Sequence, residues 1–347
     1  MDDADLIAQL VSIYSPSGQE AQAVRTLVDW MSAHGFRATV DAAGNAVGAR
    51  GAADAPHTLL LLGHIDTVPG EIPVRLENGC LYGRGSVDAK GSLCAFAEAT
   101  ARAAIPSGWR VMVIGAVDEE ADSRGAYYVR EQMQPTWCII GEPSGASRIT
   151  LGYKGHIRVN YRLTRPLAHS ARPEPSVGEL GVQLWQGLQA WAEGHNRGKE
   201  RVFDQISLHL AAINTHDDGL HETLQMEINF RLPPGVFPDD ARAALAALAD
   251  PSASWKTSSA ERAYCASKQT PLVRALLAAI RAQGEQPGFV LKSGTSDMNV
   301  VGEVWPCPLV AYGPGDSTLD HTPHEHLSLA EYRQAVRTLQ HLIEHLP

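Results

Sequence analysis

The sequence contains no apolar run near the ~20 residues that a membrane-spanning helix requires; its longest ones are strand-sized. Its opening, MDDADLIAQL, has no basic region before an apolar core, so no secretory signal is expected. Cysteine is scarce: Cys80, Cys94, Cys138, Cys265 and Cys307 are scattered, odd in number and without a C-x-x-C pair. They read as small buried hydrophobes in a reducing cytoplasm. No long basic run occurs and the net charge is −10, which argues against a nucleic-acid partner. Repeats and low-complexity segments are absent as well. What remains is an ordinary globular composition, 44% apolar and 20% charged, in 347 residues, a length that predicts two domains.

The chain is organised around Leu59–Gly91. Leu59–Leu62 is a buried-strand signature that ends at Gly63 and delivers His64 and Asp66; Gly83-Arg84-Gly85, Asp88, Lys90 and Gly91 follow. An imidazole and a carboxylate at the carboxyl end of a buried strand stand where an open α/β sheet keeps its chemistry. Two later stretches answer it, Asp118-Glu119-Glu120 after the apolar Arg110–Val117 and Glu142 after Trp137–Ile140. We expect these residues to meet around a pair of metal ions.

Helical spacing covers residues 2–34, interrupted at Ser15–Gly18, with Ser17 and Glu20 as a capping box for the second half. Strands separated by helical segments predict a mostly parallel sheet, an α/β fold. From Lys154 to Thr164 the pattern alternates, Ile157, Val159, Tyr161 and Leu163 on one face and Lys154, His156, Arg158, Asn160 and Arg162 on the solvated other. Helices at 177–192 and 238–249 and strands at 206–211 and 224–232 complete an α+β insert. The expected layout is a catalytic domain from 1–153 and 263–347, interrupted by a smaller domain at 154–262.

Adjacent carboxylates on an extended segment point apart, so Glu119 and Glu120 can divide metal binding from contact with a reacting water. A metal-bound imidazole normally gives its other N–H to a carboxylate, the role open to Asp66 beside His64. The loop Gly313–His326 carries His321, His324 and His326, among which one ligand is expected. Arg231 and the loop Ser293-Gly294-Thr295-Ser296-Asp297, Ser293, Gly294 and Thr295 above all, are candidates for gripping a substrate carboxylate, with a forked donor and backbone N–H groups.

Taken together, GHIDTVPG, YGRGSVDAKG, AVDEEADSRGA, IIGEPSG, AHSARPE and KSGTSDMN resemble, in order, the M20 family of dinuclear metallopeptidases and deacylases. The resemblance implies a smaller dimerisation (lid) domain and two divalent ions, zinc with cobalt possible in vitro. It implies that His64 and Glu142 ligate one ion, Glu120 and His321 the other, and that Asp88 bridges them. Glu119 becomes the general base and Asp66 the partner of His64. His321 is chosen because the family's ligand lies four residues before a Glu, here Glu325. A cis peptide after the bridging residue, Asp88–Ala89, is also implied, as is a homodimer or higher homo-oligomer in which His169 reaches the partner's site to stabilise an oxyanion.

GHIDTVPGEIPVR, DEEADSRGA, GEPSG, LGYKG and SGTSDMN are most similar to the hydrolases of carrier-protein-dependent lysine biosynthesis. That subgroup cuts the amide joining the γ-carboxyl of a carrier protein's C-terminal Glu to the α-amino group of lysine or ornithine. Deacylation of N-acetyl-ornithine or N-acetyl-lysine, or dipeptide cleavage, is the alternative. Arg148, Lys154, Arg158, Arg162, Arg165 and Arg172 follow one another without an intervening Asp or Glu. Lys154, Arg158 and Arg162 are therefore expected to receive an acidic carrier protein, since local patches steer association whatever the net charge.

Overall fold

The computed structural model describes residues 5–347, so residues 2–4 of the expected first helix lie outside the described residues. Two compact units emerge. One runs to Gly152 and resumes over Ala266–Leu291 and Ser296–Pro347; the other comprises Tyr153–Cys265 and Lys292–Thr295. Lys292–Thr295, expected with the last catalytic segment, groups instead with the insert. Backbone and side-chain bonds tie it there: the Lys154 N–H donates to Lys292 O and Arg231 Nη1 donates to Thr295 Oγ1.

The first unit is built on a sheet with strands in the order Arg37–Val40, Ala46–Gly51, Trp109–Ala116, His57–His64, Trp137–Gly141, Leu309–Ala311 and Arg148–Tyr153. The pairings at its centre are parallel and those outside are antiparallel. This is the largely parallel α/β architecture that the sequence pattern predicts. In His57–His64 every residue after His57 is buried, which is why its apolar residues are continuous rather than alternating.

Helix Lys90–Arg102 starts two residues after Asp88 and is buried from Lys90 to Thr100. Two glycines let it lie this close to the strand ends. A Cβ at Gly141 would stand 2.8 Å from Phe96 Cε2 and one at Gly115 would stand 3.0 Å from Leu93 Cδ2. A small antiparallel sheet, His326–Ser328, Cys80–Tyr82 and Arg75–Glu77, joins a late segment to an early one. Its register sets His326 opposite Tyr82, so the loop before His326 runs beside the loop after Tyr82.

The expected capping box at the second helix does not form. Ser17 Oγ donates to Asp66 Oδ2 at 2.7 Å, and the helix starts after Glu20 with no side-chain cap. Ser17 lies outside the helix terminus, whose N-cap is Glu20, and its hydroxyl hydrogen is committed to the Asp66 carboxylate.

The second unit holds a four-stranded antiparallel sheet in the order Ser207–Asp217, His221–Leu232, Gly155–Pro166 and Ser254–Glu261. Helices Val177–Asn196 and Pro238–Leu248 contribute to a core with Ile157, Val159, Leu163, Ile228 and Phe230. Alternation holds from Arg158 onward, with Arg158, Asn160 and Arg162 exposed. It fails before that point. Lys154 and His156 are buried, and Lys154 Nζ donates to Gln205 O (2.7 Å) and Ser207 Oγ (3.0 Å). Lys154 is thus an internal cross-link of the insert, and a role in docking does not fit it.

Candidate metal centre

Strand register builds the site. His64 lies opposite Ala116, and Gly63 lies opposite both Gly115 and Gly141. His64 to Asp66, Val117 to Glu120, and Glu142 therefore leave the sheet at one edge. The chain leaves His57–His64 towards Trp109–Ala116 on one side and leaves Trp137–Gly141 towards Arg148–Tyr153 on the other, the kind of switch point at which an open sheet has its crevice.

His64 is buried, with Nδ1 3.1 Å from Asp66 O and 3.5 Å from Asp66 Oδ1, and Nε2 3.1 Å from Asp88 Oδ1. One ring nitrogen is occupied by Asp66 and the other faces the ligand side, the arrangement a metal-bound imidazole needs. Burial works against a charged ring here. The Asp66 and Asp88 carboxylates outweigh it and hold the His64 pKa well above its usual value. Asp66 itself is fully buried and accepts the N–H groups of Glu119 (3.1 Å) and Glu120 (3.0 Å) besides the Ser17 hydroxyl. Burial pushes its carboxyl up, but these bonds and His64 bring it below the usual range.

Asp88 ends the Gly83–Asp88 loop, and its peptide to Ala89 is cis, as the family resemblance implies. Ligand atoms of His64, Asp88 and Glu120 all lie within 4.8 Å of one another. His321 closes the group, with Nε2 3.0 Å from both Asp88 Oδ2 and Glu120 Oε2. Its bonds to Asp88 and Glu120 raise the His321 pKa to about 10. His321 sits at φ 61, in the left-handed region that few non-glycine residues adopt. His326 does not face this cluster: its Nδ1 donates to the His324 carbonyl and its ring stacks on Tyr82. Imidazole nitrogens and carboxylate oxygens converging in this way are the donor set for a divalent ion of zinc type.

Glu119 and Glu142 stand beside that cluster. Glu142 is buried and outside the close group, but its charge acts on Glu119. Burial, then the neighbouring carboxylates Glu142, Asp297 and Glu120, raise the Glu119 pKa well above its usual value against the pull of His64. A carboxylate in that environment is a strong base for its type. Asp297, the last residue of the Ser/Gly loop, is the one of these neighbours that the sequence does not mark as acting on Glu119. It starts the short helix Asp297–Gly302, is 2% exposed, and burial lifts its carboxyl to about 7. The only sequence signal was an Asp directly following Ser293–Ser296.

The remaining expected residues lie in the insert. Arg231 Nη1 and Thr295 Oγ1 are 2.9 Å apart, with Ser293 and Gly294 on the same loop. His169 is exposed in the loop after Gly155–Pro166, its Nδ1 accepting the Ala171 N–H. Arg158 and Arg162 project from the open face of the sheet, Arg158 3.5 Å from Glu227 Oε1.

Residues 60–345 match the profile of peptidase family M20/M25/M40. The chain belongs to that family. It is 47% identical over 345 residues to a [LysW]-lysine hydrolase of Deinococcus radiodurans, covering 96% of this chain and 94% of the relative. A Thermococcus kodakarensis protein named as a putative [LysW]-lysine/[LysW]-ornithine hydrolase is 39% identical, with 99% and 92% covered. Among solved structures, an M20 family metallo-carboxypeptidase of Sulfolobus solfataricus superposes with a TM-score of 0.79 at 17% identity, covering 99% of each chain. A Bacillus subtilis protein described as a dinuclear metal binding peptidase of the M20 family gives a TM-score of 0.70 at 13% identity, with 99% and 97% covered. Membership of this family makes the chain a hydrolase.

Proposed function

We propose that this chain releases lysine, ornithine or both from a carrier protein by hydrolysing the isopeptide amide between the carrier's C-terminal Glu γ-carboxyl and the amino acid's α-amino group. The observation that carries the reading is 47% identity along nearly the whole chain to a [LysW]-lysine hydrolase. The clustered His64, Asp88, Glu120 and His321 support it with a donor set suited to amide hydrolysis.

In this reading His64 and Glu142 would hold one divalent ion, Glu120 and His321 would hold the second, and Asp88 would serve both. Zinc fits the ligands, with cobalt as a substitute. When bound, such a pair would make a coordinated water acidic enough to act near neutral pH and would polarise the scissile carbonyl. The rest falls to side chains. Glu119 takes the proton of the attacking water on its carboxylate and returns it to the leaving α-amino nitrogen, leaving the carrier's γ-carboxylate and the free amino acid. Asp66 holds His64 in one tautomer. Arg231, with Ser293, Gly294 and Thr295, grips the α-carboxylate of the amino acid. His169, contributed by a second copy in a cytoplasmic homodimer, donates to the developing oxyanion. Arg158 and Arg162, without Lys154, receive the acidic carrier.

The test is kcat/KM for carrier-γ-lysine, carrier-γ-ornithine, N-acetyl-lysine and N-acetyl-ornithine, with metal content measured on the same preparations. We expect the carrier-linked substrates to be preferred by at least about 100-fold. Glu119→Gln should abolish turnover with both ions retained, and His169→Ala should lower kcat with metal content unchanged. Equal or better turnover of the acetylated substrates would overturn the assignment in favour of a small-molecule deacylase.

A further inference from the structure

Glu325 entered the sequence reading only as a marker for choosing His321. Its surroundings give it a larger part. The residue is fully buried, and Oε1 accepts the backbone N–H groups of Val87 (2.9 Å) and Asp88 (3.1 Å). Oε2 is 2.9 Å from Arg84 Nη1, and the Arg84 Nε donates in turn to Gly70 O. The Gly83 N–H reaches the Glu325 carbonyl at 3.4 Å. One side chain thus collects the inward-facing donors of the Gly83–Asp88 loop. It does so from a position four residues after His321, on the loop that delivers the other late ligand.

A loop with several N–H groups pointing inward has no regular secondary structure to satisfy them, and left unpaired in a buried site each would be costly. A carboxylate accepts several such bonds at once and holds them at short, charge-assisted distances. The Asp88 oxygens face His64 and His321, while the Asp88 backbone is held by Glu325. We infer that Glu325 is a positioning residue for the metal centre: it fixes where Asp88 presents its two oxygens and couples that loop to the one carrying His321. The inference rests on the dinuclear reading above. It places the affinity of the site partly in a residue that touches neither ion nor substrate.

The experiment uses the full chain, stripped of metal, with Zn2+ affinity measured by competition against a chromophoric chelator and unfolding of the metal-free protein recorded in parallel. Glu325→Gln keeps the shape but aims an amide N–H2 at donors on one side or the other. It is expected to weaken Zn2+ binding by about 10–100-fold, the range for loss of an outer partner of a metal ligand. Glu98→Gln is the control for general damage. Glu98 is also buried, bonded to Tyr332 Oη (2.6 Å) and Arg102 Nη2 (2.5 Å), in the same unit and away from the ligands. It should lower the melting temperature and leave Zn2+ affinity within about threefold of wild type.

Wild-type affinity in a folded Glu325→Gln protein overturns the inference. So does an equal affinity loss in Glu98→Gln, which would make the effect one of stability alone. If Glu325→Gln does not fold, Arg84→Gln, which frees Oε2 and leaves the loop bonds to Oε1, must weaken Zn2+ binding beyond threefold, and unchanged affinity then refutes the idea. A wild-type protein that binds no Zn2+ refutes instead the dinuclear reading itself.

Discussion

Replacing Asp66 by Asn changes one atom in a group that serves four donors. Oδ1 accepts the Glu119 N–H and lies 3.5 Å from His64 Nδ1; Oδ2 accepts the Glu120 N–H and the Ser17 hydroxyl. Whichever oxygen becomes an amide nitrogen, a donor then faces a backbone donor in a site with no solvent exposure. An unsatisfied buried N–H costs ~1–3 kcal/mol, and the bonds that survive lose the extra strength of an ionised acceptor. The sum is about 2–4 kcal/mol of stability, large against the ~5–15 kcal/mol that holds a domain. The loss also has a pH signature. Although burial opposes it, the His64, Ser17 and Glu120 bonds depress the Asp66 pKa. Its contribution is therefore present above the unfolded carboxyl value of ~3.9 and disappears as pH falls through the lower folded one. Urea unfolding of metal-free wild-type and Asp66→Asn proteins should show the difference at pH 7 and its shrinkage towards pH 3. Metal affinity should fall by about 10–100-fold at the same time, because His64 loses the group that fixes its tautomer. A variant that unfolds within ~0.5 kcal/mol of wild type and binds metal equally well would remove Asp66 from the architecture of the site.

His156 is buried beside Arg231 and Arg158, and burial, then those cations, lower its pKa to about 4 against the Asn229 bond that favours the charged ring. Between the unfolded value of ~6.5 and that folded one, the unfolded chain binds a proton the folded chain refuses. Stability should therefore fall by up to ~3 kcal/mol as pH drops from 6.5 to 4. His156→Gln should flatten that limb in equilibrium unfolding curves, and parallel curves for the two proteins would rule it out. Reversing Arg158 and Arg162 to Glu should raise KM for a carrier-linked substrate about tenfold at low salt, less at high salt. The same change should leave N-acetyl-lysine kinetics unaltered; equal effects on both substrates would refute docking at this face.

His64 and Glu142 are legible in the sequence as candidate ligands because each stands at the end of a strand whose apolar run marks it. His64 follows Leu59–Leu62, and Glu142 follows Cys138-Ile139-Ile140, so burial and chemistry are adjacent in sequence. Residues that act across the chain carry no such mark. Arg84 and Glu325 are 241 positions apart, and the strands that bring them together are three residues long, too short for any period to show. Ser17 looked like a helix cap because nothing local reveals a buried carboxylate 49 positions away. Lys154 looked solvated because alternation extrapolates through the start of a strand, where Gln205 and Ser207 in fact close over it. These three cases share one cause: polar groups whose pairing is decided by partners that local pattern cannot see. Such pairs also hold the centre together, Ser17 and two backbone N–H groups on Asp66, two more on Glu325. Candidate donors at strand ends are therefore legible in local sequence, whereas their geometry is set by tertiary hydrogen bonding, and substitutions at Ser17, Arg84 or Glu325 are expected to alter that geometry without replacing a candidate donor.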